Sequence, residues 1–345
     1  MTKTTTLAFL LLAGASFSAT GCHSGDMQTK TPARPLVGGV ERLDPALDQL
    51  VAPDARPEVL SQGYKWSEGP VWTHGALLFS DVPNNVIWRW HETEGTREFL
   101  RPSGYTGSVP RGGEPGSNGL AVDAAGRLYM CQHGDRRIAR LAPDGKSFET
   151  VADRYENKRF NSPNDLVVRP DGDVYFTDPI YGLVLHEKDP AREIPWSGVY
   201  RARADGRVEL LDRTLTFPNG LAFSPDGKTL YVAVSDPARA IWMAYDVDDK
   251  GGVKGGRVFF DATAFVKAGK KGLPDGMKID VAGNIFATGP GGVFVFSPEG
   301  THLGTIVTGE PTANCAFGDD GSTLYMTAND KLTRIRLKTR GAVGQ

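Results

Sequence analysis

Six short segments of the chain each set one oxygen-bearing side chain immediately ahead of an apolar run. They are Ser67-Glu68-Gly69-Pro70-Val71-Trp72, Ser117-Asn118-Gly119-Leu120-Ala121-Val122 and Pro163-Asn164-Asp165-Leu166-Val167-Val168, followed by Pro218-Asn219-Gly220-Leu221-Ala222-Phe223, Pro274-Asp275-Gly276-Met277-Lys278-Ile279 and Ala313-Asn314-Cys315-Ala316-Phe317. Brought to one point, Glu68, Asn164, Asn219 and Asp275 would offer two carboxylates and two amide carbonyls. Hard oxygens with a formal charge of about −2 suit Ca²⁺, which takes roughly six to eight ligands and leaves positions for water or substrate; Mg²⁺ or Mn²⁺ would fit a tighter cavity. Zn²⁺ is a poorer match, since the sequence has six histidines, no HExxH motif and no cysteine cluster. A GxSxG nucleophile elbow is absent too, which argues against a serine hydrolase. Asn118 completes the set as a residue for substrate, and Asn314, where Cys315 replaces the usual glycine, is its weakest member.

The spacing says how such residues would meet. Successive anchors lie 50, 46, 55, 56 and 39 residues apart. Most are followed by a turn such as Arg169-Pro170-Asp171-Gly172 or Ser224-Pro225-Asp226-Gly227, and then by a β run such as Asp173 to Thr177 or Thr229 to Ala233. A repeat near 50 residues, built of short strands with almost no helical periodicity, predicts an all-β fold: a six-bladed β-propeller of four-stranded antiparallel sheets. The innermost strand of each blade borders the central channel, so equivalent residues ahead of it form a ring about the axis. After Asn314 the chain supplies about three strands and stops. The missing one is expected from the stretch around Glu58-Val59-Leu60, an N-terminal strand that zips the first and last blades together and leaves no open edge. The competing reading of the Asn-Gly and Asp-Gly pairs is that they are turn formers and nothing more.

Composition agrees with a turn-rich globular chain: of 345 residues 42 are Gly and 23 Pro, with 40% hydrophobic and 23% charged, which excludes a disordered chain or a coiled coil. Lys plus Arg is 39 and Asp plus Glu 41, a net 39 − 41 = −2, so no pull towards nucleic acid is encoded. No protein partner is indicated either. The start of the chain combines Lys3 with an apolar run from Leu7 to about Ala19, too short to span a bilayer, which predicts an export signal over 1–21. Residues 22–57 then read as tether and lead-in, and 58–345 as the propeller. Ala19-Thr20-Gly21-Cys22 resembles a bacterial lipoprotein box, which implies lipid on Cys22 and a periplasmic protein anchored to a membrane; otherwise Cys22 is an ordinary residue beside a peptidase site. Cys131 and Cys315 lie in apolar strand-like runs and are expected as two buried free thiols.

From Tyr64 to Leu337 the landmarks resemble those of the gluconolactonase, regucalcin (senescence marker protein) and SMP-30-like family of six-bladed propellers. Glu68-Gly69-Pro70-Val71-Trp72, Arg159-Phe160-Asn161 leading to Asn164-Asp165, Asn219-Gly220-Leu221 and Pro274-Asp275-Gly276-Met277 carry the likeness, in that order. The resemblance implies hydrolysis of a small sugar lactone such as gluconolactone to the aldonic acid. It implies Glu68 and Asn219 as metal ligands, Asn164 as a ligand for metal or substrate, and Asp275 as ligand and catalytic base. The export signal and Ser162-Pro163 favour the bacterial gluconolactonase branch. A related metal-dependent esterase or phosphotriesterase, and a non-catalytic calcium-stabilised binding propeller, are the alternatives.

Water attack on a lactone builds negative charge on the former carbonyl oxygen, which a divalent ion stabilises while a carboxylate deprotonates the water. Direct attack by Asp275 on the substrate is the covalent alternative. His133 and Tyr181 each follow a strand-like run and are expected to reach substrate hydroxyls. For His133 the alternative is a turn histidine bonded to backbone. Trp72, near His74 on the first inner strand, is expected in the core. The irregular stretch from Gly182 to Trp196 is long enough to roof the channel, or else is a surface insertion with Trp196 plugging a gap.

Overall fold

A computed structural model describes residues 1–2 and 34–342. The expected export segment, its first two residues apart, and Cys22 lie outside the described residues. The propeller is present with six blades. Blade one is built from Ser67–Thr73, Ala76–Asp81, Val86–His91 and Gly95–Leu100, each strand antiparallel to the next. The innermost strands of the other five are Ser117–Val122, Leu166–Val168, Pro218–Phe223, Met277–Ile279 and Thr312–Gly318. Short runs of mostly apolar residues, buried on both faces, make them strands, and Gly-containing turns end them. At Arg169 to Gly172 the Gly172 N–H closes on Arg169 O at 2.9 Å with φ +89° at Gly172, a conformation costly for any residue with a Cβ. Apolar side chains fill the seams between neighbouring blades. Tyr129, Cys131 and Ile138 of blade two, for example, share one cluster with Val174, Phe176 and Tyr200 of blade three.

Closure follows the expected route. Glu58–Gln62 pairs antiparallel with Lys331–Arg336, as the outermost strand of the blade that begins at Thr312. A charged clasp reinforces it. Arg334 and Arg34 both reach Glu58 and Glu92, and both guanidinium groups lie 5.5 Å from the Trp90 ring.

The lead-in does more than was expected of it. Gly39–Arg42 adds a fifth strand to blade five, Gly39 facing Val307 and Arg42 facing Gly304. The turn of 3₁₀ helix at Pro45–Gln49 follows, and Leu47, Leu50 and Val51 pack between Val293, Val295 and Ile306 of blade five and Leu324, Met326 and Ile335 of blade six. The compact unit therefore starts at Arg34. Among the described residues no helix is long and apolar enough to cross a membrane. Cys131 and Cys315 are both buried and unbridged; burial pushes the Cys315 thiol up to about 12.

Candidate active site

The glycine that follows an anchor serves close approach between blades. A Cβ on Gly220 would stand 2.3 Å from Asp275 O, and one on Gly276 2.0 Å from Asn314 Cγ, so in these blades the residue after the anchor must be bare for the next blade to come in. A belt of hydroxyls from the second strands ties these backbones. Ser80 Oγ donates to Asn118 O at 2.8 Å, Thr177 Oγ1 to Asn219 O at 2.8 Å, Ser235 Oγ to Pro274 O and Thr288 Oγ1 to Ala313 O at 2.9 Å. Each bond runs from one blade to its neighbour, so the anchors are held in register as a ring. Asn164 is held from a second side. The Asp178 carboxylate accepts Asn161 N–H and Ser162 N–H at 2.8 Å each, fixing the loop that delivers it, and burial pushes the Asp178 carboxyl up to about 7.

Glu68, Asn118, Asn164, Tyr181, Asn219 and Asp275 line one cavity of about 480 Å³. Glu114 and Ser235 share its wall, with Trp66, Val266, Leu273 and Pro311 forming an apolar side. Tyr181 presents its ring against Phe217, stacked at 5.8 Å. Two expected residues stand elsewhere. His133 is fully buried behind Asn164, its Nε2 3.5 Å from Asn164 Nδ2 and its Nδ1 3.2 Å from Glu114 Oε2. Asn314 is turned from the cavity, donating through Nδ2 to Asp165 Oδ2 at 3.4 Å. Trp72 stacks on Tyr325 at 5.4 Å, and His74 sits in the exposed turn at the far end of that strand.

The charge in this place is unbalanced. Glu68 and Asp165 are buried, 2% and 3% exposed, and Asp275 is partly open to the cavity with its Oδ1 enclosed. Burial, opposed chiefly by the Gly69 N–H and assisted by the charges of Asp165 and Glu114, pushes the Glu68 carboxyl up to about 8. Burial and then the Glu68 charge raise Asp275 well above the carboxylate range. Asp165 is raised by burial, an effect opposed chiefly by the Lys278 ammonium, whose Nζ donates to Met277 O at 3.0 Å. With all three ionised, Glu68, Asp165 and Asp275 against the Lys278 ammonium give a formal −3 + 1 = −2, to which Glu114 on the wall adds.

A divalent cation fits this donor set. Among the described residues, Asn118 Oδ1, Asn219 Oδ1 and Asp275 Oδ1 are buried oxygens without a hydrogen-bond partner, each costing about 1–3 kcal/mol if left so. No three His, Cys, Asp or Glu side chains among the described residues are arranged to hold a metal, so any ion here depends on amide oxygens as well as carboxylates, as suits a hard cation. Glu68, Asn164, Asn219 and Asp275 would hold it.

Glu114 and the hydroxyl belt were not anticipated. Glu114 belongs to the long connection between Gly95–Leu100 and Ser117–Val122, which Arg111 staples down by donating to Gly134 O at 2.9 Å and to Gly182 O. The run of Gly and Pro from Gly104 to Gly116 was the available signal. The stretch from Gly182 to Trp196 contributes nothing to the cavity wall. It packs on blade three, with Leu183 and Ile194 buried and Trp196 Nε1 donating to Tyr200 OH at 3.1 Å, so of the two readings the surface insertion holds.

Residues 66–330 match the family described as the SMP-30/Gluconolactonase/LRE-like region. A gluconolactonase of Zymomonas mobilis is 39% identical over 336 residues, covering 95% of this chain and 94% of that one. A pentonolactonase of Haloferax volcanii is 27% identical, covering 78% of this chain and 83% of its own. Among solved structures, a gluconolactonase from Xanthomonas campestris superposes with a TM-score of 0.75 at 33% identity, covering 89% of this chain and 99% of that one. The chain belongs to the SMP-30/gluconolactonase/LRE-like family of six-bladed β-propellers.

Proposed function

We propose that the protein hydrolyses a small sugar lactone to its aldonic acid with the help of a bound divalent cation, most simply Ca²⁺. Its standing as a hydrolase rests on the near full-length likeness to a gluconolactonase. The observation that carries the finer reading is the set of partnerless buried oxygens on Asn118, Asn219 and Asp275 facing a cavity with surplus negative charge. When bound, the cation would supply Lewis acidity to the lactone carbonyl oxygen. Glu68, Asn164 and Asn219 hold the site. Asp275 has one enclosed oxygen for the ring and an open side on the cavity, which suits it to take a proton from the attacking water. Asn118, Glu114 and Tyr181 line the wall against which substrate hydroxyls would bond, and Trp66, Val266, Leu273 and Pro311 cover the apolar ring face and exclude water.

Acid release from a panel of aldonolactones, with and without chelator, tests this. Metal-dependent turnover is expected; turnover only of aryl esters or phosphotriesters would move the substrate class. No metal-dependent turnover of any of them would leave a binding propeller. Glu68→Gln should weaken metal binding, with excess Ca²⁺ restoring much of the rate. Asp275→Asn keeps an oxygen but loses basicity, and should cost about 10²- to 10⁴-fold at full occupancy. A fully metallated Asp275→Asn within a few-fold of wild type would exclude Asp275 as base.

We also propose export, with lipid on Cys22 retaining the protein at a membrane, from the apolar run ending in Gly21-Cys22. Cys22→Ala should move the protein from the membrane fraction to the periplasm with unchanged activity. Unchanged retention would refute it.

A further inference from the structure

Two amides of the ring are turned the same way by different means, and one of those means extends two residues beyond the cavity. Asn219 Nδ2 donates to Ser235 Oγ at 2.9 Å, and the single Ser235 hydrogen is committed to Pro274 O, which only accepts. The hydroxyl therefore faces Asn219 with a lone pair, the NH₂ half of the amide is pinned there, and Oδ1 points the other way, buried without a partner. At Asn164 the corresponding neighbour is an imidazole. His133 Nδ1 stands 3.2 Å from Glu114 Oε2, an ion-pair approach without the alignment of a hydrogen bond, and Nε2 3.5 Å from Asn164 Nδ2. A carboxylate only accepts, so of the two neutral tautomers its nearness favours the one with the proton on Nδ1; Nε2 is then a lone pair, able to accept from an amide N–H but not to donate to an amide oxygen. The ring has no room to turn away: it is fully buried, and Gly182 is packed so closely that a Cβ there would be 2.7 Å from His133 Cβ and 2.8 Å from Cγ.

We propose that Glu114 and His133 form a relay that fixes which way the Asn164 amide faces, Glu114 setting the tautomer, His133 Nε2 holding the NH₂ group, and Oδ1 thereby presented to the cation. Both are positioning residues for the ring, and the inference rests on the cation reading above. An amide free to flip would present N–H dipoles to a cation half of the time. Groups of this kind behind a metal ligand are typically worth about 10- to 100-fold in metal affinity. The relay also gives both His133 nitrogens a task away from the cavity, so the residue contacts no substrate.

The pair His133→Gln and His133→Asn tests it, with Ca²⁺ affinity measured by calorimetry and lactone kinetics at saturating Ca²⁺. Gln carries its amide oxygen out to about where Nε2 stands; Asn stops near Nδ1. Ca²⁺ affinity within about threefold of wild type for Gln and about 10- to 100-fold weaker for Asn is expected, with lactone KM little changed in both. Equal affinities for the two, or unaltered Ca²⁺ affinity with a raised KM, would overturn the relay. Should either variant fail to fold, ¹⁵N spectra of the wild-type imidazole decide: the Nδ1–H tautomer is expected, and Nε2–H would overturn it. Wild-type protein that binds no Ca²⁺ would instead remove the cation reading itself.

Discussion

Stripping divalent ions should reverse the way stability responds to pH. In the ion-free fold Glu68 holds its proton up to about pH 8, through burial first and then the Asp165 and Glu114 charges, whereas an unfolded glutamate loses it near about 4.3. Between those values the folded chain binds a proton that the unfolded chain does not, so stability falls as pH rises, by at most about 1.4 kcal/mol per pH unit for each such group. Asp275 is shifted in the same direction. Two units, from pH 5.5 to 7.5, give a ceiling of about 2.7 kcal/mol for Glu68 alone. With water entering the cavity to halve that, and about 2–4 °C per kcal/mol for a chain of this class, the melting temperature should drop by about 3–5 °C.

With Ca²⁺ saturating, the cation takes the place of the protons and the carboxylates are charged in the folded state, so the trend should vanish or invert. Ion binding itself adds about 2.7 kcal/mol at a hundredfold excess over Kd. Thermal melts of chelated and Ca²⁺-loaded protein across this pH range read the effect directly, and calorimetry in buffers of different ionisation enthalpy should find protons released on Ca²⁺ binding. Glu68→Gln removes the titrating group, so the chelated variant should melt above chelated wild type at pH 8 while binding Ca²⁺ more weakly. Chelated protein that gains stability from pH 5.5 to 7.5, or a slope that Ca²⁺ leaves alone, would refute the reasoning.

Removing residues through Arg56 should cost far more than starting the chain at Arg34. It strips the fifth strand of blade five and the Leu47, Leu50 and Val51 side chains, together about 5–8 kcal/mol of apolar burial, so the shorter chain should be insoluble or melt at least 10 °C lower. Gly220→Ala puts a Cβ 2.3 Å from Asp275 O; overpacking of this kind costs about 1–3 kcal/mol, and a crystal structure or Ca²⁺ titration should show blades four and five displaced at the ring. For Glu92, burial pushes the carboxyl up, but hydrogen bonds from Arg34 and Arg334 outweigh it and hold the group low. Its contribution is therefore present above the ordinary glutamate range and lost as pH falls below it. Arg334→Ala should abolish that part of the acid sensitivity and cost about 1 kcal/mol, because these pairs are partly exposed.

Much of the fold was legible because a blade is a local object. Short strands, Gly-containing turns and an anchor at the start of each inner strand recur within about 50 residues, and the last blade, with three strands of its own, is completed by Glu58–Gln62. What needs contact across blades was not legible. Ser80, Thr177, Ser235 and Thr288 sit inside β runs where a hydroxyl is unremarked, and only the ring shows that each donates to the neighbouring blade. His133 stood out in Cys131-Gln132-His133-Gly134, yet its partner is 31 residues away on another blade, and the pairing sets it behind Asn164 and not on the cavity wall. Glu114 lies on a connection outside any period. The lead-in looked like a tether because its Pro, Asp and Ala content hides three apolar residues, Leu47, Leu50 and Val51, that fill one seam.

The departures from the repeat say more about chemistry than the repeat does. Four blades carry glycine after the anchor, at Gly69, Gly119, Gly220 and Gly276, and this bare position lets adjacent backbones meet. Blade three has Asp165 there instead. Its carboxylate accepts its own strand's Leu166 N–H at 2.9 Å and the Asn314 amide at 3.4 Å, drawing Asn314 away from the ring. Blade six has Cys315, whose thiol bonds sideways to Phe286 O at 3.4 Å. A symmetric ring of six identical anchors would surround the axis with equivalent oxygens and offer no direction to a substrate. With Asn314 tied to Asp165, and with Glu68 and Asp275 as the carboxylates among the anchors, the donors are distributed unevenly about the axis, and Lys278 offsets one of the three charges. The close approach of the blades depends on the bare position that four of them share, whereas the one-sidedness of the proposed cation site would come from the two that differ.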